Sequence, residues 1–288
     1  MQKKTIRDKR FGFERALYAT ENAIIENCRF EGEEDGESAM KECRGITVRN
    51  CYMALRYPLW HVSALRIEGG EMTSDCRAAL WYSRDIEADS ARFGGIKALR
   101  ECTNAHFSKC DIISPEFGWQ SEGITLSHCD IVSEYAFLHS SFIKADNITL
   151  GGKYTFQYTE NVEITDSVLK TKDAFWHAKN VTVTDSTVEG EYLGWYSENL
   201  TFVRCHIKGT QPLCYCKNLR LIDCTCEDCD LAFEYSDVEA EIKGGIDSIK
   251  NPRSGHIKVG FAGEVLRTED SVYPSEAEVI VTGENGGA

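Results

Sequence analysis

Residues 161–169 read Asn-Val-Glu-Ile-Thr-Asp-Ser-Val-Leu. The pattern returns at residues 180–188 as Asn-Val-Thr-Val-Thr-Asp-Ser-Thr-Val, at residues 199–207 as Asn-Leu-Thr-Phe-Val-Arg-Cys-His-Ile, and begins again at Asn218. The repeat is therefore 19 residues long. Apolar and polar residues alternate after each Asn, which is typical of a strand with one buried face. A short repeat with a strand in every copy predicts a solenoid.

Extending this frame in both directions predicts twelve coils, each with a turn position that tolerates the left-handed backbone conformation. These anchor positions are Asn22, Gly45, Ala64, Asp85, Asn104, Gly123, Asn147, Asn161, Asn180, Asn199, Asn218 and Asp237. Neither a period near 3.6 nor the Leu-x-x-Leu-x-Leu pattern occurs, which argues against helical and leucine-rich repeats. The predicted fold class is all-β, a right-handed parallel β-helix (β-solenoid) of about twelve coils.

The two ends of the sequence lack the repeat. We expect a single domain over residues 1–288, with an N-terminal cap at 1–15, coils at 16–245 and a C-terminal cap or tail at 246–288. Caps are expected because terminal coils would otherwise expose strand edges and core.

The cysteines of the chain follow the repeat. Nine of the thirteen fall in two columns of small residues, either six after an anchor or two before one. These nine are Cys28, Cys51, Cys110, Cys129, Cys205 and Cys224, and Cys43, Cys102 and Cys216. We interpret them as free thiols that fill the core. Because no apolar signal-peptide segment follows the polar first ten residues, we expect a cytoplasmic location.

The charge of the chain restricts its partners. The net charge is −14, from 46 acidic and 32 basic residues, which argues against nucleic acid and anionic membranes as partners. No Gly-rich phosphate loop, Gly-x-Ser-x-Gly or His-Glu-x-x-His motif occurs, so we expect no cofactor. Among the clustered cysteines of residues 214–229, only Cys226 and Cys229 have zinc-like spacing, and we predict no metal site.

Two aromatic columns precede the anchors. The first holds all five tryptophans, Trp60, Trp81, Trp119, Trp176 and Trp195, and we predict that it faces the core. The next column is more polar and includes Glu101, Gln120, Lys144 and Glu234; its rings form a predicted outward stripe of His61, Tyr82, Tyr158, His177, Tyr196 and Tyr215. Rings and polar groups in a row suit a linear carbohydrate. The alternative is that aromatic residues simply favour sheet surfaces and stack between coils.

Two carboxylates are catalytic candidates. Asp111 and Asp130 occupy the same outward column on adjacent coils, so their backbones should lie about 4.8 Å apart. Such a pair can cleave glycosides or hold a cation, with His177 of the stripe as a further candidate. The alternative is two solvated side chains near a turn.

The two ends of the chain carry a resemblance. Residues 13–18, Phe-Glu-Arg-Ala-Leu-Tyr, and residues 251–257, Asn-Pro-Arg-Ser-Gly-His-Ile, resemble a bacterial family of uncharacterised proteins, domain of unknown function 3737. This family is placed among pectin-lyase-like β-helices, a fold that carries lyases, hydrolases, esterases and purely structural proteins. The resemblance therefore implies a fold and no activity.

Coil length bears on function. Coils of 19 residues leave little room for the long loops that usually wall a substrate cleft. This favours a non-catalytic carbohydrate-binding or scaffolding β-helix over its alternative, a polysaccharide-active lyase or glycoside hydrolase. The expected partner is a linear carbohydrate.

Overall fold

A computed structural model describes residues 4–32 and 36–283. The chain divides into two compact units, Met1–Lys144 and Ala145–Ala288, called here the N-terminal and C-terminal units. Within each unit, strands of successive coils pair side by side in parallel, so each unit is a parallel β-solenoid. No helix in the described residues is long and apolar enough to cross a membrane. The assignment of a single domain stays a prediction.

The described part of the N-terminal unit contains short strands and one 3-10 helix, Ser74–Cys76. Its strands are β1 (Lys4–Arg7), β2 (Arg10–Phe11), β3 (Ala23–Glu26), β4 (Arg29–Phe30), β5 (Thr47–Arg49), β6 (Tyr52–Met53), β7 (Leu59–Trp60), β8 (Ser63–Glu68), β9 (Glu71–Met72), β10 (Leu80–Trp81), β11 (Arg84–Asp89), β12 (Arg92–Phe93), β13 (Leu99–Arg100), β14 (Thr103–Ser108), β15 (Asp111–Ile113), β16 (Glu122–Ser127) and β17 (Asp130–Ser133). The next strand, β18 (Ser141–Asp146), crosses the boundary between the units.

The C-terminal unit has longer strands towards its end. They are β19 (Thr149–Lys153), β20 (Glu160–Thr165), β21 (Val168–Lys172), β22 (Lys179–Thr184), β23 (Thr187–Glu189), β24 (Glu198–Val203), β25 (His206–Lys208), β26 (Leu219–Glu227), β27 (Asp237–Lys250), β28 (Ser254–Leu266) and β29 (Glu278–Val281).

Among the described residues of the N-terminal unit, strand pairing forms three parallel ladders. The first runs β1-β3-β5-β8-β11-β14-β16, the second β2-β4-β6-β9-β12-β15-β17, and the third β7-β10-β13. In the C-terminal unit one ladder runs β20-β22-β24-β26-β27-β28-β29, and a second runs β19-β21-β23-β25-β26. Equivalent residues of successive coils therefore lie side by side.

The core lies inside the coils and follows the predicted apolar columns. In β24, for example, Leu200 and Phe202 are fully buried, whereas Thr201 between them points outward. Each ladder stacks such residues directly, as where Phe202 pairs in register with Val183 and Leu221. Burial of one face of every strand is the main source of stability, because it removes apolar area from water.

The predicted asparagine turn positions form a hydrogen-bonded ladder. The Nδ2 group of Asn180 donates to Oδ1 of Asn161 at 3.2 Å, Asn199 donates to Asn180 at 2.8 Å, and Asn218 donates to Asn199 at 2.7 Å. All four residues have φ between 51° and 59°. The prediction that these asparagines stack at left-handed turns is confirmed.

The anchor predicted at Asn147 is wrong. Thr149 pairs with Val168 and Leu150 with Leu169, so Asn147 lies in the column of Asp166, at the next turn of the coil. The residue 19 positions before Asn161 is Phe142, whose φ is 54°. Phe142 takes the anchor position, and the long coil implied between Gly123 and Asn147 does not exist.

The described residues wind about 14 turns, slightly more than the twelve predicted. The additional turns lie in the segments predicted as caps. At the N-terminal end β1 pairs in parallel with β3, and at the C-terminal end β28 pairs with β27 and β29 with β28. Residues 1–3 of the N-terminal cap and 284–288 of the C-terminal tail lie outside the described residues.

The thirteen cysteines are present as thiols, and twelve of them are buried. Many donate to a backbone carbonyl of the preceding coil, as Cys102 does to Leu80 at 3.0 Å. Burial raises the pKa of Cys102 to about 12 and that of Cys43 to about 11, so their unreactive neutral forms dominate at neutral pH.

We expect a thiol titration of the folded protein to find few reactive cysteines. The same titration in denaturant without reductant should find most of the thirteen, because unfolding exposes buried free thiols. Several disulfides in that second titration would contradict both the core-filler interpretation and the predicted cytoplasmic location.

Candidate functional site

The column of the predicted stripe lies at a left-handed turn. The tryptophan column ends short strands at Trp60 and Trp81 and lies in a turn at Trp176 and Trp195. In the column of the predicted stripe, His61, Tyr82, Tyr158 and their equivalents all have φ near 50–60°. The left-handed conformation interrupts the alternation of inward and outward side chains, so strict alternation fails here.

The prediction that the tryptophans face the core is wrong. All five are half-buried, and the fully buried position is the residue before each, such as Phe175 next to Trp176. Trp176 Nε1 donates to the Tyr192 carbonyl at 2.6 Å, which fixes the indole against the following coil. Both aromatic columns therefore lie at the surface and not in the core.

Four stripe residues of the C-terminal unit form a stack, called here the aromatic ladder: Tyr158, His177, Tyr196 and Tyr215. Ring centroids are 4.8 Å apart between Tyr158 and His177, 5.0 Å between His177 and Tyr196, and 4.7 Å between Tyr196 and Tyr215. The interplanar angles are 12°, 9° and 18°. One ring per coil thus follows the spacing of the strands.

Stacking determines which part of each ring a ligand can reach. Both faces of His177 are covered by tyrosine rings, and Tyr196 is covered by His177 and Tyr215. Yet Tyr158 and Tyr196 keep 48% and 45% of their surface exposed. The exposed part of an inner ring is therefore its edge, with the phenol oxygen or imidazole nitrogen.

Aromatic and charged side chains border the ladder, and one member of the ladder is itself partly buried. Burial raises the pKa of Tyr215 to about 12, so this phenol stays neutral. Trp176 and Trp195 stack beside the ladder with centroids 5.4 Å apart. On the other side Glu160, Lys179, Glu198 and Lys217 follow one another in register, with alternating charge.

The other two stripe residues, His61 and Tyr82, lie in the N-terminal unit. Their rings meet edge to face at 5.2 Å, and His61 lies 3.3 Å from Glu42. A hydrogen bond to Glu101 raises the pKa of Tyr82. Both rings of this pair are therefore bound to carboxylates of their own chain.

The structure also corrects two members of the stripe column. His139, with φ of 55°, takes the position predicted for Lys144, and Tyr235, with φ of 58°, takes that of Glu234. The first error follows from the wrong anchor at Asn147. The second follows from one extra residue between Tyr215 and Tyr235, which are 20 positions apart.

Asp111 and Asp130 lie in register on β15 and β17, as predicted. Arg92 on β12 precedes them in the same column, and its Nε lies 3.6 Å from an Asp111 oxygen. Both carboxylates are exposed. His177 belongs to the turn column of the C-terminal unit, so this candidate does not share their column.

Sequence reasoning missed a polar group on the outer face of the first ladder in the N-terminal unit. Arg66, Glu87 and His106 occupy one column of β8, β11 and β14. They line a depression of about 290 Å³ that also contains Ser108 and Thr125. The sequence did indicate this group, because Arg66, Glu87 and Thr125 each stand two positions after an anchor, between two apolar residues.

Among residues 4–32 and 36–283, no three His, Cys, Asp or Glu side chains lie close enough together to hold a metal ion. The cysteines of residues 214–229 therefore form no such group.

Comparison with known proteins identifies a family. The family described as "Protein of unknown function (DUF3737)" matches residues 4–280. No curated protein matches the sequence.

Three solved structures show a distant likeness. A double mutant of the periplasmic alginate epimerase AlgG is 10% identical, with 92% of this chain and 75% of that chain covered and a TM-score of 0.33. The endo-xylogalacturonan hydrolase from Aspergillus tubingensis is 12% identical, with 96% of this chain and 87% of that chain covered and a TM-score of 0.25. QnrB1, a plasmid-mediated fluoroquinolone resistance protein, is 12% identical, with 82% of this chain and 92% of that chain covered and a TM-score of 0.18. Such values carry no argument about a ligand or a reaction.

Proposed function

Since this chain belongs to the DUF3737 family of proteins of unknown function, we propose from its geometry that it is a non-catalytic β-solenoid that binds a linear carbohydrate along the aromatic ladder. The observation that supports this proposal is the row of four rings whose centroids lie 4.7–5.0 Å apart, of which Tyr158, His177 and Tyr196 are exposed. A sugar residue in an extended glycan adds about 5 Å, close to the coil spacing. Successive sugars would therefore meet equivalent groups.

Ring edges define the mode of binding. Neighbouring rings cover the faces of the stacked rings. Sugars therefore contact the phenol oxygens and the imidazole nitrogen at the ring edges. Phenols both donate and accept hydrogen bonds, as sugar hydroxyls do. The stack also holds each ring in place before binding, which reduces the entropy lost on association. Each hydrogen bond contributes about 1 kcal/mol, so useful affinity requires several coils.

The test compares two triple variants on a panel of neutral and acidic oligosaccharides. Tyr158→Phe/Tyr196→Phe/Tyr215→Phe keeps the stack and removes the hydroxyls, and we expect it to bind about 100-fold more weakly than wild type. Tyr158→Ala/Tyr196→Ala/Tyr215→Ala should lose at least as much affinity. Isothermal titration calorimetry gives the dissociation constants, and circular dichroism checks the fold.

Phe261→Ala is the matched control, since this exposed aromatic side chain lies in the same unit outside the ladder. It should bind as wild type does. If no glycan binds, or if both triple variants bind as wild type does, the ladder is a structural stack and the protein a scaffold.

The second candidate is a polysaccharide-active enzyme, favoured by the in-register pair Asp111 and Asp130 beside Arg92. Paired carboxylates can supply acid and base for glycoside cleavage. Chromatography of the same oligosaccharides after incubation distinguishes this candidate, because only an enzyme shortens them. Asp111→Asn and Asp130→Asn would then abolish cleavage.

A further inference from the structure

Beside the depression around His106, hydrogen bonds link three side chains on two coils. Asn104 Nδ2 donates to Asp85 Oδ1 at 2.8 Å, and Asn104 Oδ1 lies 3.0 Å from His106 Nε2. Asp85 and Asn104 both have φ near 55°, at the turn that opens β11 and β14. Both side chains line a second depression, which shares Arg66, Glu87 and His106 with the first.

The hydrogen bonds from Asp85 through Asn104 to His106 determine the tautomer of His106. An ionised carboxylate only accepts hydrogen bonds, so the Asn104 amide must direct its NH₂ group towards Asp85. The Asn104 oxygen then faces His106 and accepts from Nε2–H. In the neutral imidazole the other nitrogen, Nδ1, is left as an acceptor.

Neighbouring charges leave the depression rich in acceptors. Arg66 lies 2.7 Å from Glu68 and 3.4 Å from Glu87, so its charge is already paired. Asp89, Glu87 and His106 Nδ1 offer further acceptors, whereas Thr125 and Ser108 offer hydroxyls. An anionic ligand would meet excess negative charge here, and a ligand with hydroxyl donors would be satisfied.

We propose that this depression is a binding site for a neutral polyhydroxylated ligand, whose hydroxyls donate to His106 Nδ1 and to the Glu87 carboxylate. Asn104 acts as a positioning residue, because it fixes the imidazole through Asp85. The site uses none of the residues of the aromatic ladder and so goes beyond the function proposed above.

The test is ¹⁵N NMR of the histidine rings of the full chain, with His106→Gln to assign the resonance. When its imidazole is neutral, wild-type His106 should show the Nε2–H tautomer. Titration with cellotetraose should shift the His106 Nδ1 resonance to saturation, whereas tetragalacturonate should shift it at least tenfold less effectively.

Asn104→Ala should mix the two tautomers and weaken cellotetraose binding about tenfold. Asn199→Ala, which removes an exposed amide with two similar hydrogen bonds in the other unit, should leave both readouts unchanged. The response of His106 should also survive in the aromatic-ladder variants, which separates failure of this site from failure of the ladder. An Nδ1–H tautomer in wild type, no shift with cellotetraose, or a stronger shift with tetragalacturonate would each overturn the proposal.

Discussion

Replacement of Phe202 by alanine is expected to lower the free energy of unfolding by about 3–5 kcal/mol. Phe202 is fully buried in β24, and its ring meets Phe175 edge to face at 6.4 Å. Val183 and Leu221 of the adjacent coils lie in register with it, and their backbones are fixed by strand pairing. Because the coils cannot close around the missing ring, a cavity remains and adds to the lost apolar burial.

Chemical denaturation followed by circular dichroism measures this loss. Phe261→Ala is a suitable control, since Phe261 lies in β28 with 57% of its surface exposed. We expect that control to change the free energy of unfolding by less than about 0.5 kcal/mol. Equal losses in the two variants would mean that Phe202 does not occupy a rigid core.

Replacement of Gly209 by alanine should lower the free energy of unfolding by about 3 kcal/mol or more. Gly209 has φ of 130°, which residues other than glycine rarely adopt. A Cβ atom at this position would lie 2.1 Å from the carbonyl oxygen of Gly190 on the preceding coil. The added Cβ is fixed to the backbone of one coil and meets the backbone of another. The clash can therefore be removed only if the two coils move apart.

Gly151→Ala is the matched control for this prediction. Gly151 lies in β19 of the same unit, and a Cβ atom added there would have no heavy atom within 4 Å beyond its chain neighbours. Alanine there should leave stability unchanged or raise it by about 0.4–1 kcal/mol, because the unfolded chain loses conformational freedom. A Gly209→Ala protein as stable as Gly151→Ala would contradict the close approach of the coils.

The fold could be predicted from sequence because one rule is repeated in most coils. Where Asn occupies the left-handed turn, as at Asn180 and Asn199, residue type and backbone conformation agree. The rule failed at Phe142, which has the left-handed conformation although phenylalanine rarely adopts it. Asn147, five residues later, stands before the alternating pair Ile148 and Leu150 and imitates an anchor.

The candidate site was less predictable than the fold, for two physical reasons. Alternation of inward and outward side chains holds only in extended backbone, so it placed Trp176 in the core although it belongs to a turn. Ring orientation is also absent from a sequence pattern: the column of Tyr158, His177 and Tyr196 predicted a row of rings, and only their packing shows that the faces cover one another.

The amide ladder from Asn161 to Asn218 advances by 19 residues at every step. A gene that encodes such a stack can gain or lose the codons of one whole coil, and each later side chain returns to its former column. Insertion or deletion of a single codon within a strand instead exchanges the inward and outward faces of the strand residues that follow it. Duplication and loss of whole coils are therefore the alterations of length that this architecture accepts most readily.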